Sequence, residues 1–596
     1  MIENMPIASA PLVPTEIYEK LIEQAYIDPI RTVIVVDDEF PSLDSLIEKE
    51  LNGVRPWAGS EGDARKVSEI LSYCRNRDRP WLVDVHDGRE VSVRGEERIA
   101  PYLHHSDLMI LDYHLAGDSG TGDHAIGILR DLASNDHFNM VIVYTKGDSD
   151  AIGNVFRQIS LSLMSDDESL SDIPHYPKQQ INEAIAEWED DDTEIEAKLL
   201  SIISDQTYLE VRKSNSCKEL LKMPEWQLLK ELLKTAPANK VGDALWAKWL
   251  ISKKHDVLKE QFSTSDLGDI SWVREKAFNW LRTDRLFVTV ISKSHAPKDL
   301  PEMLKAAIIN WCPSPHQLLM ARMRAQMDEH GVLAESGVLR DRLLQAGWMR
   351  QLFSEKCVDR KQTLKGTVDK HWEALGDNLR ANIDSYAGEL TSHLDELGED
   401  EVFKRFFGHI NLATQNDKIL KRLNTHACMK ARFEHSHLMT GHIIKIGSEL
   451  WACLSPACDL VPGQKKTGWQ GRLGDYLPFK AVLLHKVSDE AALEQANQNI
   501  FVFIPTEKDA DCYSIYPMGE AHTNPQWEQL FAKNSGRFSG ENGHLVIGRL
   551  NESEGDLKFE NSGAEVICQL RYEYALNLLQ RLGTTLTRVG LDYHSS

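Results

Sequence analysis

Two short apolar runs end on acids. The first is Thr32–Val36, followed by Asp37, Asp38 and Glu39; the second is Leu108–Leu111, followed by Asp112. Each run is too short for a helix and rich in Val, Ile or Leu, the pattern of a strand buried on both faces. In an open parallel sheet, sites form just outside the carboxyl ends of the strands. If the two strands are neighbours, Asp37, Asp38 and Asp112 converge. One like-charge pair about 4 Å apart costs roughly 4 kcal/mol at an effective dielectric of about 20. Such a cluster calls for a cation or a proton, and hard oxygen ligands favour Mg²⁺.

The elements that must position these acids follow a regular rhythm. A short helix is expected near Glu16–Ala25, in a lead-in covering residues 1–30. Strand 32–36 is followed by helices from Leu43 to Leu51 and on through Cys74. A second strand is expected at Trp81–Val85, a short helix at Glu96–His104 and a third strand at 108–112. A helix at Ala125–Leu132 leads to a fourth strand, Met140–Tyr144, which stops at Thr145. Alternating strands and helices imply a parallel sheet with right-handed crossovers.

The pattern changes after about residue 164. Residues 165–271 are polar and helical, and the acidic run from Glu187 to Asp192 reads as a solvated helix end. Trp272–Leu281 reads as a helix. It leads into Leu286–Ile291, the clearest strand of the middle region, with Lys293 just beyond and a helix at Leu300–Trp311. A lone buried strand cannot satisfy its backbone groups. The economical expectation is that it returns to the first sheet as its fifth strand, so that 31–164 and 272–312 form one domain interrupted by a helical insertion.

Asp112 is followed by Tyr113-His114-Leu115-Ala116-Gly117-Asp118-Ser119-Gly120. This resembles the phosphoacceptor segment of response-regulator receiver domains, where Asp, two residues, Leu, usually Pro, Gly, two residues and Gly recur. Asp37-Asp38, Thr145 and Lys293, each at a strand end, are similar to the rest of that family's set. The resemblance implies a receiver-like (flavodoxin-like) five-stranded parallel sheet. It also implies that Asp112 takes a phosphoryl group from a phosphohistidine. Mg²⁺ would be held by Asp37, Asp38, Asp112 and the backbone carbonyl of His114. Thr145 and Lys293 would bind phosphoryl oxygens. Ala116 stands where the family has proline, and Val290 occupies the aromatic switch position. Lys178, after Pro177, is the rival for the lysine role.

Beyond residue 312 the chemistry thins out. Residues 313–437 read as helical, and 438–596 as a β-rich domain closed by a helix at Leu570–Leu582. Strands are expected at His442–Ile446, Leu450–Leu454, Phe479–His485, Ile500–Ile504 and Leu545–Ile547, which suggests a small barrel or sandwich. The whole chain is therefore α/β, then α, then β. Cys453 and Cys458, with Cys428, His435, His437 and His442 upstream, invite a zinc reading, but the cysteine spacing is wide and no second close pair exists. Two cysteines flanking a turn is the plainer interpretation. Phosphate-loop, nucleophile-elbow and His-Glu-x-x-His motifs are missing, so no separate enzymatic domain is expected.

Bulk properties narrow the partners. The chain has 596 residues, 42% of them hydrophobic, and a formal charge of −24. That charge disfavours broad binding to nucleic acid or anionic membranes. Nine scattered cysteines suit a reducing cytoplasm. No apolar run suits a membrane span. The expected partners are a histidine kinase or phosphotransfer protein and a separate effector protein. The arrangement resembles response-regulator-like components of bacterial two-component phage-defence systems, which implies a regulator or phosphate sink. The competing expectations are a degenerate receiver used for docking, and an effector with an unrecognised activity in the C-terminal β domain.

Overall fold

The computed structural model describes residues 15–586 except 54–58, 89, 94–95, 100–104, 116–121, 165–172, 215, 235, 237–240, 263–269, 276–277, 355–359, 409, 432–435, 463–467, 507–508, 521–522, 539–542 and 554. The chain divides into two compact units. Of the described residues, those within 15–333 and 377–408 make up one, and those within 334–376 and 410–586 make up the other.

The first unit is built on a seven-stranded mixed sheet. Its strands are β1 (Thr32–Val36), β2 (Leu82–His86), β5 (Leu108–Leu111), β6 (Asn139–Thr145), β7 (Ser271–Arg274), β8 (Asn279–Arg282) and β9 (Leu286–Ser292). The order across the sheet is β2-β1-β5-β6-β9-β8-β7. The first five in that order are parallel. The strand Leu286–Ser292 thus pairs with β6 across the long insertion, as the need to satisfy its backbone demands.

The two faces of the sheet separate by residue parity, as a period-2 backbone requires. Ile34, Val36, Met109, Leu111, Val141, Val143, Val288 and Val290 lie in one buried cluster. It also takes up α4 (Asp123–Ser134), α5 (Ser149–Ser162) and helices of the insertion between His175 and Phe262. Val33, Val35, Leu108, Ile110, Ile142, Phe287 and Ile291 lie in the other, with residues of α1 (Glu16–Ile22), α3 (Glu61–Arg75) and the helix Leu300–Trp311. Burial on both faces explains why these strands are unbroken apolar runs.

Two expected helices are strands. Trp272–Leu281 is the antiparallel hairpin β7–β8, which adds to β9 on its outer side. The sheet is therefore mixed and seven-stranded, not five-stranded and wholly parallel. Trp272, Trp280 and Leu281 are buried, and a short apolar run that a helix could use is equally served by a two-sided strand. At Glu96 the expected helix is instead strand β4 (Glu96–Ile99), paired with β3 (Glu90–Val93); residues 100–104 of that expected helix lie outside the described residues.

The second unit carries a closed antiparallel barrel. Six strands close it in the order β11-β10-β17-β16-β15-β12, with β11 pairing back onto β12. These are β10 (His442–Ile446), β11 (Glu449–Cys453), β12 (Leu477–Lys486), β15 (Trp527–Ala532), β16 (His544–Ser553) and β17 (Asp556–Gln569). A hairpin, β13 (Phe501–Pro505) and β14 (Ala510–Ser514), joins at β12. Closure removes free sheet edges. Ala575, Leu578 and Leu582 of the last helix, Tyr572–Leu586, pack into a core with Ile443, Phe501 and Cys568. Among the described residues, no helix is long and apolar enough to cross a membrane.

An acid-rich candidate site at the ends of four strands

Backbone pairing fixes the acids first. The Asp112 amide donates to the Val36 carbonyl at 2.8 Å, and the Asp37 amide donates to the His86 carbonyl at 3.0 Å. The strands therefore run one residue further in register and set Asp37 and Asp112 side by side. Asp37 is 2% exposed and Asp112 4%. One carboxylate oxygen each from Asp37, Asp38 and Asp112 falls in a group spanning no more than 4.8 Å.

The lysine arrives from the next strands. Its backbone N–H donates to the Thr145 carbonyl at 2.7 Å, extending the β6–β9 ladder. The Lys293 ammonium donates to Asp37 Oδ2 and to Asp112 Oδ2, both at 2.8 Å. Its side chain is 5% exposed, and its Nζ stands 5.8 Å from the centre of the Phe40 ring. Lys178 lies on the helix His175–Glu189 of the insertion and is exposed to solvent. Of the two rival lysines, Lys293 meets the acids.

The charges do not balance within this group. Burial pushes the Asp37 carboxyl up to about 6, although Lys293 pulls it down and Asp112 pushes it up. Burial also raises Asp38, and the charges of Asp112 and Glu39 add to that rise. Burial opposes ionisation of Lys293, yet the carboxylates of Asp37 and Asp112 hold its ammonium above the ordinary range. One cation shared between two buried carboxylates leaves acid in excess.

At this site, Asp38 Oδ1 and Thr145 Oγ1 are buried and have no hydrogen-bond partner among the described residues. Thr145 is fully buried at the end of β6. A buried hydroxyl or carboxylate oxygen without a partner is costly and calls for a ligand. The donor set of Asp37, Asp38 and Asp112 is all oxygen, which fits Mg²⁺. His114 is half-buried, and its backbone N–H donates to Asp112 Oδ1 at 3.4 Å. Beside it, Tyr113 is packed so closely that a Cβ at Gly122 would come within 2.2 Å of the Tyr113 ring. Gly122 also has φ +68°, so the loop needs glycine there on both counts. Ala116 through Gly120 lie outside the described residues.

Sequence reasoning missed three neighbours. Phe40 lies beside the Lys293 ammonium, Glu39 sits 3.9 Å from it, and Lys146 pairs with Glu39 at 2.7 Å. Glu39 and Lys146 each directly follow a candidate site residue, Asp38 and Thr145, and Phe40 comes next after Glu39, so adjacency at a strand end was the available signal. The zinc reading gains no support among the described residues. Cys453 is buried in β11, Cys458 is exposed, and among the described residues the group placed to hold a metal ion is the acidic trio. His435 lies outside the described residues.

The acid trio, the threonine and the lysine lie just outside the carboxyl ends of the parallel strands of an α/β sheet, the place where such sheets bind ligands. Residues 29–198 match the family model described as response receiver domain, which supports the receiver family for that segment. The match ends before β9, so the placement of Lys293 stands on the sheet alone. No curated protein matches the chain, and no solved structure matches it.

Proposed function

We propose that this chain is a phosphoacceptor of the response-regulator kind, with a receiver-like fold in its first unit. Asp112 receives a phosphoryl group from a phosphohistidine on a histidine kinase or phosphotransfer protein. The observation that carries this reading is Lys293 Nζ bridging Asp37 and Asp112 at 2.8 Å beside the unpartnered Thr145 hydroxyl. Asp37, Asp38 and Asp112, with the His114 carbonyl, are the groups that would hold Mg²⁺. Bound there, the ion supplies charge neutralisation for the phosphoryl oxygens.

The chain's own residues do the rest. An Asp112 carboxylate oxygen bonds to phosphorus while the donor's bond to phosphorus breaks, and the donor leaves with the electron pair. Lys293 holds Asp112 in place and then pairs with a phosphoryl oxygen. The Thr145 hydroxyl, which has no partner in the free site, donates to another. Positioning and charge stabilisation dominate phosphoryl transfer, and this set supplies both. The wider role we favour is regulator or phosphate sink in a phage-defence phosphorelay with a separate effector. That role rests on the architecture read from the sequence.

The test is intact mass after incubation with Mg²⁺ and acetyl phosphate. One base-labile phosphoryl group should appear on the native chain and be absent from Asp112→Asn. No addition, from acetyl phosphate or from a cognate kinase, would leave the docking-module reading in its place.

A further inference from the structure

Glu39 links two lysines. Its Oε1 accepts from Lys146 Nζ at 2.7 Å, and its Oε2 lies 3.9 Å from Lys293 Nζ. Lys146 directly follows Thr145, and Glu39 directly follows Asp38, so the pair spans the ends of β6 and β1 beside the acid trio. The Glu39 amide also donates to Asp37 Oδ1 at 2.9 Å, which ties the pair's acidic arm to a group of the site itself. The side chains of Lys146 and Glu39 are 43% and 26% exposed. A partly exposed pair of this kind is weakly held and easily exchanged.

The charge count gives the exchange a direction. Among the described residues, Asp37, Asp38, Glu39 and Asp112 are four carboxylates, set against the ammonium groups of Lys293 and Lys146. A divalent cation cancels the excess of two. Phosphorylation then replaces one negative charge on Asp112 with two on the phosphoryl group. The new oxygens are stronger acceptors for an ammonium group than a half-exposed carboxylate is.

We infer that Lys146 is a second phosphoryl-binding cation, held in reserve by Glu39 and transferred to a phosphoryl oxygen once Asp112 is phosphorylated. The inference rests on the phosphoacceptor reading and deepens it. In the transferred position Lys146 covers an outer face of the phosphoryl group and slows its loss to water. In that loss, water attacks phosphorus and the bond from phosphorus to the Asp112 oxygen breaks. The electron pair returns to the carboxylate, and dihydrogen phosphate leaves carrying both water protons. Glu39 plays the opposite part: it competes for Lys146 and repels the incoming anion.

The experiment follows the phosphorylated full-length chain by intact mass after loading with Mg²⁺ and acetyl phosphate and then removing the donor. Lys146→Met should shorten the half-life at least threefold, and Lys146→Arg should restore it. Glu39→Gln should load faster and lose phosphate no faster than the native chain. The two substitutions break the same ion pair, so a merely structural role would shift both half-lives in the same direction. A native half-life in Lys146→Met, or a shortened one in Glu39→Gln, overturns the inference while leaving the acceptor reading intact. A native chain that never gains phosphate overturns both.

Discussion

Two buried lysines, one in each unit, meet carboxylates in opposite ways. In the barrel unit, Lys421 donates to Asp489 Oδ2 at 2.9 Å, to the Ala510 carbonyl at 3.2 Å and to Asp509. Its three N–H bonds have three acceptors, so the ammonium is saturated. The Lys421 ammonium is raised by these acids against the effect of burial, and its hydrogen bond holds Asp489 below the usual carboxylate range. In the sheet unit, Lys293 is shared by Asp37 and Asp112, with Asp38 close by, and the Asp37 carboxyl is raised. A saturated lysine ties elements together: here the helix Leu412–Cys428, the short helix Asp489–Glu494 and the β13–β14 hairpin. An undersupplied one marks a place where a cation and an anion belong.

The largest expected effect tests the saturated side. Lys421→Ala strands Asp489 and Asp509 without their shared cation. A fully buried pair broken on one side costs about 3–5 kcal/mol; with Asp489 half exposed, the expectation is about 2–3 kcal/mol. The denaturant midpoint of the barrel transition measures it. A loss below about 0.5 kcal/mol would mean that the cluster holds nothing together, and the contrast with Lys293 would collapse.

Neutralising one acid on each side should give opposite signs. Asp489→Asn removes a favourable partner and should lower barrel stability by about 1 kcal/mol. Asp38→Asn removes a repulsive one and should raise the stability of the sheet unit, in chelator, by about 1 kcal/mol. Acid excess at a site is stability given up for function. Thermal melts of the two variants with EDTA decide this, and shifts of the same sign would break the comparison.

How far each side was legible follows from the same physics. Asp37, Asp38, Asp112 and Thr145 could be read because strands buried on both faces are short apolar runs, and the polar residue that ends each run sits at the rim of the sheet. Lys293 could be read because Leu286–Ile291 is such a run. The hairpin β7–β8 could not: Trp272, Val273, Trp280 and Leu281 satisfy a helical face as well as two strands, and pairing partners are invisible in a single segment. In the barrel, β10 and β11 showed themselves, whereas β17 did not. Its first eight residues are exposed and pair with β16 alone, so no alternation marks them. Lys421 gave no signal, because Asp489 and Asp509 come from segments distant in sequence.

Magnesium should sharpen the contrast further. An ion held by the acid trio stabilises the folded sheet unit by mass action, about 1.4 kcal/mol at ten times its dissociation constant. The barrel cluster, where among the described residues no third carboxylate joins Asp489 and Asp509 around Lys421 in a metal-holding group, should gain nothing. Melting curves with and without Mg²⁺ test this, with Asp38→Asn as the control that loses the gain. An equal gain in both units would point to a general salt effect in place of a site.

The smallest expected effect is on pH dependence, and its sign differs between the two regions. Asp37 has its folded value raised to about 6, so between about 4 and 6 the folded chain keeps a proton that the unfolded chain has released. Stability of the chelated sheet unit therefore falls as pH rises through that window. Asp489 is lowered on folding, so its contribution is present above the unfolded value near 4 and is lost as pH falls through the folded one. Melts from pH 3 to 7 in EDTA should show the sheet unit losing stability on the alkaline side of pH 4 and the barrel losing it on the acid side. Asp37→Asn should flatten the first limb alone, and Asp489→Asn the second alone. If Asp37→Asn leaves the slope unchanged, burial is not straining that carboxyl and the acid corner is as balanced as the barrel's. In that case Lys293 would be a tie like Lys421, with no call for a metal ion.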